Sequence, residues 1–142
     1  MMIHQAPPPP SPRVYALSRP FWDGCRAGEL WLQRCAEPAC GRAIHYPRVC
    51  CPYCQSDKLS WIRASGLGRI ISHTTIRRTH HDGFNPLAPY VFAAIELAEG
   101  PLFYARLVDA DLEARLIDHQ VRIRFDPGPQ DPPVPVFEVL PY

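Results

Sequence analysis

The segment from Cys35 to Cys54 constrains the fold of this chain more than any other part of the sequence. It holds two cysteine pairs: Cys35 and Cys40 have four residues between them, and Cys51 and Cys54 have two. Cysteine pairs this close together form metal-binding knuckles, and two knuckles place four thiolates around one tetrahedral ion. The sequence therefore predicts a zinc ribbon whose single Zn²⁺ is structural, with no open coordination position for a substrate.

Alternatives remain open for these cysteines. Buried or disulfide-bonded cysteines would also account for the even total of six, and the same four thiolates could hold iron, as in rubredoxin. Within a zinc site, His45 could replace one thiolate, and Cys50 could replace its neighbour Cys51. We prefer Cys51 because the turn between Cys51 and Cys54 is the tighter one, with Pro52 fixing φ directly after the ligand.

Composition and charge argue against several classes of function. Fifteen basic and fourteen acidic residues leave a net charge of +1, so the chain has no general electrostatic attraction for nucleic acid or membranes. The sequence contains no apolar run of about 18 residues that would span a bilayer. Its first thirteen residues lack the charged and apolar regions of a secretion signal. Cysteines with knuckle spacing and without an export signal predict a cytoplasmic protein.

The sequence predicts three segments. Residues 1–17 form a disordered proline-rich leader, since the run Pro7–Pro10 favours extended polyproline II and cannot pack a core by itself. Residues 18–62 form a short helix and the Cys₄ zinc ribbon. Residues 63–142 form a β-barrel. The predicted fold class is therefore mainly β, with the helix and ribbon preceding the barrel.

The predicted helix has an aromatic face. It starts after Ser18, a suitable N-cap, and stops at Gly28. Phe21 and Trp22 lie on it, and a helix this short is marginal alone, so both rings must be buried against another surface. That surface is either the chain's own core or a partner protein, because a ribbon alone is too small to cover two rings. Phe21 and Trp22 are accordingly candidate partner-docking residues.

The second half of the sequence predicts β-strands. Residues 90–97 alternate between apolar and polar faces, and residues 102–108 supply the return strand of a hairpin. Five strands are predicted, with one or two helical turns between the third and the fourth at residues 109–118. This order is typical of a five-stranded OB-fold barrel, and an SH3-like barrel is the nearest competitor.

Several segments together resemble a known family. They are PFWDGCRAGELWLQRC, Cys40-Gly41, YPR, CPYC, PYVFAAIEL and EGPLFYARLVD. In this combination they resemble the rubredoxin-like zinc-ribbon plus OB-fold proteins, small acyl-CoA-associated accessory proteins long known as a domain of unknown function. The resemblance covers the chain from Arg19 onward. It implies metal ligands at Cys35, Cys40, Cys51 and Cys54, although the first knuckle is two residues longer than the usual CxxC.

The resemblance also implies a function. Such a chain is a non-catalytic accessory subunit that docks, as a hetero-oligomer, on a thiolase-like enzyme (condensing enzyme, acyltransferase or aldolase) or on an acyl-CoA hydratase. It helps to bind the acyl-CoA substrate. The sequence shows no catalytic triad, phosphate loop or paired carboxylates, which agrees with a non-catalytic role. The alternative function is that of a zinc-ribbon and OB module for single-stranded nucleic acid, which the net charge of −3 over residues 66–142 disfavours.

Candidate CoA-binding residues follow from the chemistry of the ligand. Anionic phosphates call for arginine, and the adenine face calls for a stacking ring. The strand that begins the barrel and the loop after it supply most of these side chains. The candidates are Arg63, Arg69, Arg77, Arg78, His80, His81 and Phe84. Alternatively, these side chains simply lie at a solvated strand end and in a solvent-exposed loop, without a ligand.

Overall fold

A computed structural model describes residues 5–141, so residues 1–4 of the predicted leader and Tyr142 lie outside the described part. The first half of the chain contains a helix, α1 (Arg19–Ala27), and a small antiparallel sheet. The sheet has the order β2-β1-β3, and its strands are β1 (Trp31–Cys35), β2 (Ala43–Ile44) and β3 (Leu59–Arg63). This half is the predicted helix and ribbon.

The second half is a closed five-stranded barrel. Its strands are β4 (Leu67–Ile76), β5 (Tyr90–Leu97), β6 (Leu102–Val108), β7 (Gln120–Arg124) and β8 (Val136–Val139). They close in the order β4-β5-β6-β8-β7, with β6 and β8 parallel and the other neighbours antiparallel. The OB-fold prediction is confirmed.

The predicted hairpin of β5 and β6 shows why these residues form a barrel. Alternate residues of β5, beginning with Val91, point into the barrel and are buried, whereas Phe92 and Glu96 face outward. On β6, Phe103 and Leu107 likewise point inward. A period of two along each strand lets one face build the core while the other meets solvent.

Helix α1 belongs to the same core as the barrel, which corrects the docking prediction. The side chains of Phe21 and Trp22 are only 2% and 8% exposed. The Phe21 ring centroid lies 6.3 Å from that of Phe103, and the Trp22 indole N–H donates a hydrogen bond of 2.9 Å to the Tyr46 hydroxyl. The prediction that Phe21 and Trp22 dock on a partner is therefore wrong, because the barrel and ribbon together cover both rings.

The ends of α1 match the sequence prediction in position but not fully in mechanism. Gly28 ends the helix with φ +74°, the left-handed conformation that glycine adopts without strain. Ser18 precedes the helix, but its side chain makes no capping bond to a helical N–H. Its hydroxyl lies 3.3 Å from both the N–H and the carbonyl oxygen of Tyr15. Ser18 thus fixes the turn that leads into α1 rather than capping the helix.

Two connections of the barrel differ from the prediction. Residues 109–118 form turns without a helix, and Leu116 is buried there while its N–H donates to His73 Nε2. A 3₁₀ helix (Asp82–Leu87) lies instead in the loop between β4 and β5. Among the described residues, no helix is long and apolar enough to cross a membrane.

Candidate metal centre and ligand face

The four predicted cysteine ligands lie together at one end of the ribbon. Their Sγ atoms all lie within 4.8 Å of one another, with Cys35 and Cys54 at 3.5 Å and Cys40 and Cys51 at 3.8 Å. A Zn–S bond of about 2.3 Å in a tetrahedron places sulfur atoms about 3.8 Å apart. The observed spacing therefore fits a tetrahedral ion bound by four thiolates.

Tight turns position these sulfurs. In the first knuckle the Cys40 N–H donates to the Glu37 carbonyl at 2.9 Å, and in the second the Gln55 N–H donates to the Cys51 carbonyl at 2.8 Å. The Tyr53 N–H points at Cys51 Sγ, 3.4 Å away. Backbone N–H groups directed at sulfur favour the thiolate, which is the form that binds metal.

The surroundings of the thiols support the same conclusion. Burial raises the pKa of Cys51, but hydrogen bonds from the backbone of Cys54 and Tyr53, together with contacts to the sulfurs of Cys40 and Cys54, outweigh burial and lower that pKa to about 7. Hydrogen bonding to the backbone of Ser56 lowers the pKa of Cys54, but burial and the sulfurs of Cys35 and Cys51 raise it, and the net result is a pKa of about 12. The Cys51 thiolate therefore forms readily, whereas the neighbouring sulfurs oppose ionisation of Cys54. The donor set thus calls for a cation, and its residues fit zinc.

Gln33 orients the approach to the second knuckle, and the sequence analysis missed it. This buried side chain on β1 accepts a hydrogen bond of 2.7 Å from the Arg48 N–H and donates one of 2.9 Å to the Arg48 carbonyl. A single amide thereby satisfies both backbone groups of a residue three positions before Cys51. No local signal in the sequence indicates this role, because Gln33 stands next to Arg34 in the strand and only the structure shows which of the two is buried.

The two substitute ligands considered from the sequence lie outside the cysteine cluster. Cys50 is exposed, and Cys51 rather than Cys50 joins the other three sulfurs. The His45 ring instead stacks on Phe103 of the barrel, with centroids 4.3 Å apart and an interplanar angle of 16°. Burial lowers the pKa of His45 to about 4. His45 is therefore a neutral ring in the junction between ribbon and barrel.

The candidate CoA-binding side chains do not form one cluster. Arg69 pairs with Glu96 at 3.1 Å and also with Asp118, and the hydrogen bonds that its guanidinium donates to these carboxylates raise its pKa. Arg77 directly follows the last residue of β4, so most of the strand separates it from Arg69, and it pairs with Glu113 at 3.6 Å.

The remaining candidates are equally scattered. Arg63 pairs with Glu29 at 3.6 Å in the ribbon. Arg78 and His80 are exposed, and His81 Nδ1 accepts a hydrogen bond from the Gly83 N–H. The His81 ring meets that of Phe84 edge-on at 5.7 Å. CoA binding by this set stays a prediction.

A groove on the outside of the barrel is the clearest candidate ligand face. Its floor is formed by outward side chains of β5 and β6, including Phe92 and Tyr104, which are 38% and 60% exposed. One wall is the 3₁₀ helix with Phe84, and the other is the proline-rich loop 126–135. The groove encloses about 730 Å³, within the range of small-molecule sites.

This groove lies where OB-folds bind their ligands, on the second and third barrel strands between the first and last loops. Of the predicted CoA candidates, Phe84 lines it. Arg106, the cation among its lining residues, was not predicted. The signal was nonetheless present in the sequence, because the alternation of the hairpin assigns Phe92, Tyr104 and Arg106 to the outer face.

Two family models match the chain, one over the ribbon and one over the barrel. Residues 22–60 match the family model described as the ChsH2 rubredoxin-like zinc ribbon domain, and residues 61–126 match the ChsH2 C-terminal OB-fold domain. The chain belongs to this ChsH2 family. The resemblance stated from the sequence is confirmed. Both models match in the same order as the ribbon and the barrel in the structure.

Similar proteins include a DUF35 domain-containing scaffold protein of Methanothermobacter thermautotrophicus, 38% identical over 87 residues, which are 61% of this chain and 65% of that protein. A probable enoyl-CoA hydratase alpha subunit of Thermomonospora curvata is 36% identical over 89 residues, 62% of this chain and 27% of that protein. This ChsH2-family chain thus spans between about a quarter and two thirds of the length of these curated relatives.

Among solved structures, a chain of the Ltp2-ChsH2(DUF35) aldolase is similar with a TM-score of 0.72 and 29% sequence identity. The match covers 90% of this chain and 98% of that chain. The names of these proteins associate the family with scaffolds and with subunits of hydratase and aldolase assemblies. They support a partner-associated subunit for this chain.

Proposed function

We propose that this chain is a non-catalytic subunit that docks on an acyl-CoA-processing enzyme, of the thiolase-like or hydratase class, and helps that enzyme to hold its acyl-CoA. The observation that carries this proposal is the likeness to the ChsH2 chain of an aldolase assembly along nearly the whole of both chains. A chain that shares the ribbon, the barrel and their order presents these elements to a partner in a similar arrangement.

The chemistry of the described residues supports an accessory role. The four cysteines form a closed donor set, and a Zn²⁺ bound there contributes folding free energy to the ribbon without meeting a substrate. Cys25, which lies outside this donor set, is a buried thiol. Burial raises its pKa to about 12, which makes it a poor nucleophile. Among its described lining residues, the groove supplies apolar and aromatic surface, one carboxylate (Asp126) and no histidine.

CoA contact is the finer part of the proposal. The groove supplies Tyr104 and Phe92 for stacking and Arg106 for an anionic group, whereas Arg69 is already paired with two carboxylates. We therefore expect the adenine or pantetheine portion to meet the barrel near Arg106 rather than near Arg69.

Location in the cytoplasm, inferred from the cysteines, stays a prediction.

Single-stranded nucleic acid is the second candidate. Exposed rings on the second and third strands of an OB barrel are the stacking platform that such ligands use. The charge of the groove argues against nucleic acid. Such a site needs a path of basic side chains along the phosphate backbone, whereas Arg106 is the cation among the described groove residues. The charge of the face favours the accessory subunit.

Co-purification tests the proposal. The chain is co-expressed with an aldolase-like or hydratase-like enzyme from the same genome, and acyl-CoA turnover is measured with and without the chain. We expect a stable complex and a loss of turnover when the chain is omitted. Arg106→Ala in the complex is expected to raise KM for acyl-CoA, with Arg69→Ala as the matched control. An enzyme that is fully active alone and never co-purifies with the chain would refute the proposal.

A further inference from the structure

The proline-rich leader lies across the barrel groove and contacts both of its walls. Pro7, Pro8 and Pro9 are among the residues that line the groove. On one side, Gly83 of the 3₁₀ helix is buried against the leader: a Cβ atom on Gly83 would lie only 2.7 Å from the Pro8 carbonyl oxygen and the Pro9 nitrogen. This approach of two backbones is possible only because residue 83 has no side chain.

On the other side, the loop between β7 and β8 binds the leader by hydrogen bonds. The Gln130 side-chain amide donates to the Pro10 carbonyl at 2.8 Å, and the Asp131 N–H donates to Ser11 Oγ at 3.0 Å. The Asp131 carboxylate also accepts a bond of 3.1 Å from Arg26 of α1, which holds this wall to the helix. The leader is therefore held by backbone fit at one wall and by polar contacts at the other.

We propose that the groove is a polyproline-recognition site and that its resident ligand is the chain's own leader. Grooves that bind polyproline present exposed aromatic rings to a preformed extended helix, and donors from the groove reach the peptide carbonyls. Phe84, Phe92 and Tyr104 supply the rings, and Gln130 supplies the donor.

The chemistry of the groove favours a proline-rich peptide over other occupants. Proline has no N–H, so a polyproline strand brings carbonyl acceptors and apolar rings, which match a wall donor and an aromatic floor. A nucleic-acid strand, with a charge at every nucleotide, would meet one cation, Arg106, and the carboxylate of Asp126 among the described lining residues. The leader also covers the face that OB-folds use for ligands, so any partner that uses this face must first displace residues 7–11. The leader occupies the same groove as the proposed CoA contact, so CoA could bind there only after the leader leaves; the peptide experiment below tests the leader separately from acyl-CoA turnover.

The experiment uses a labelled peptide with the sequence of residues 5–13 and full-length chains. In the wild-type chain the tethered leader competes at an effective concentration of about millimolar. In a full-length variant with Pro7→Gly, Pro8→Gly, Pro9→Gly and Pro10→Gly, this competitor is weakened. We expect fluorescence anisotropy to show the peptide binding this variant about tenfold more tightly than the wild-type chain.

Two glycine substitutions in the groove form a matched pair, with Gly83→Ala as the test and Gly128→Ala as its control. Added to the four-glycine variant, Gly83→Ala is expected to weaken peptide binding about tenfold, because its methyl group collides with the peptide backbone. Gly128→Ala also lines the groove, but its Cβ would have no atom within 4 Å, so binding should not change. In the otherwise wild-type chain, Gly83→Ala should speed amide hydrogen exchange at Asp131, and Gly128→Ala should not.

Three results would overturn the proposal. The first is equal peptide affinity for the wild-type and four-glycine chains, or no binding to either. The second is an Asp131 exchange rate that Gly83→Ala leaves unchanged. The third is an oligothymidylate of similar length that binds the four-glycine variant in place of the peptide, which would assign the face to single-stranded nucleic acid.

Discussion

Acidification should weaken the junction between ribbon and barrel through His45. Its ring is stacked on Phe103 and lies 5.3 Å from the Phe21 ring, and burial lowers its pKa from 6.5 to about 4. The imidazole is therefore neutral in the folded chain and accepts a proton more easily once unfolded. A group whose folded pKa is depressed in this way destabilises the fold as the pH falls below 6.5.

The size of the effect follows from the two pKa values. Proton linkage between pKa 6.5 in the unfolded chain and about 4 in the folded chain gives a loss of about 2 kcal/mol at pH 5 relative to pH 7.5. The full difference, reached below pH 4, is about 3 kcal/mol. Most of the loss appears between pH 6.5 and 4, so pH 7.5 and pH 5 bracket a measurable part of it.

Urea unfolding of the wild-type chain and of His45→Phe, at several pH values and with excess zinc, measures this term. Phenylalanine keeps a flat ring against Phe103 but cannot be protonated. Both chains share every other titrating group, including the cysteines, so the difference between their pH profiles isolates His45. We expect the wild-type chain to lose about 2 kcal/mol more than His45→Phe between pH 7.5 and 5. Parallel profiles would refute the argument that the buried ring is neutral.

Three further predictions concern the ribbon and helix α1. Cys51→Ser should lose the bound zinc and the ribbon fold, whereas Cys50→Ser should keep about one zinc per chain by metal analysis; the reverse result would make Cys50 the ligand. Gln33→Leu should cost about 2 kcal/mol in urea unfolding, because both backbone groups of Arg48 lose their partner, and an unchanged midpoint would contradict this. Gly24→Ala should cost about 1–3 kcal/mol, because its methyl would lie 2.5 Å from an indole carbon, and Gly128→Ala is the neutral control.

Local patterns predicted the parts of the fold that depend on neighbours in sequence. The knuckle spacing of Cys51 and Cys54, the alternation of β5, and Gly28 at the end of α1 each report a local backbone geometry. Each of these needs only a few consecutive residues to be recognised. The five-stranded barrel followed from adding such local elements in order, since their number and sequence match few folds.

What the sequence did not predict depends on which surfaces meet. Phe21 and Trp22 require burial, but only the packed structure shows that Phe103 and Tyr46 provide it. The arginine candidates failed to form a cluster for a similar reason: Arg69 lies near the start of β4 and Arg77 just after its end, so one extended strand keeps them apart. Partner choice among distant residues is a tertiary property, and no periodicity encodes it.

The junction between α1, the ribbon and the barrel has a consequence for metal affinity. Because one core extends from Phe21 through His45 to Phe103, folding of the ribbon and folding of the barrel are thermodynamically linked. Zinc that stabilises the ribbon must then also stabilise the barrel, and by reciprocity a well-packed barrel must tighten zinc binding. A substitution at Phe103, which lies outside the four-cysteine cluster, should therefore speed the loss of metal to a chelator.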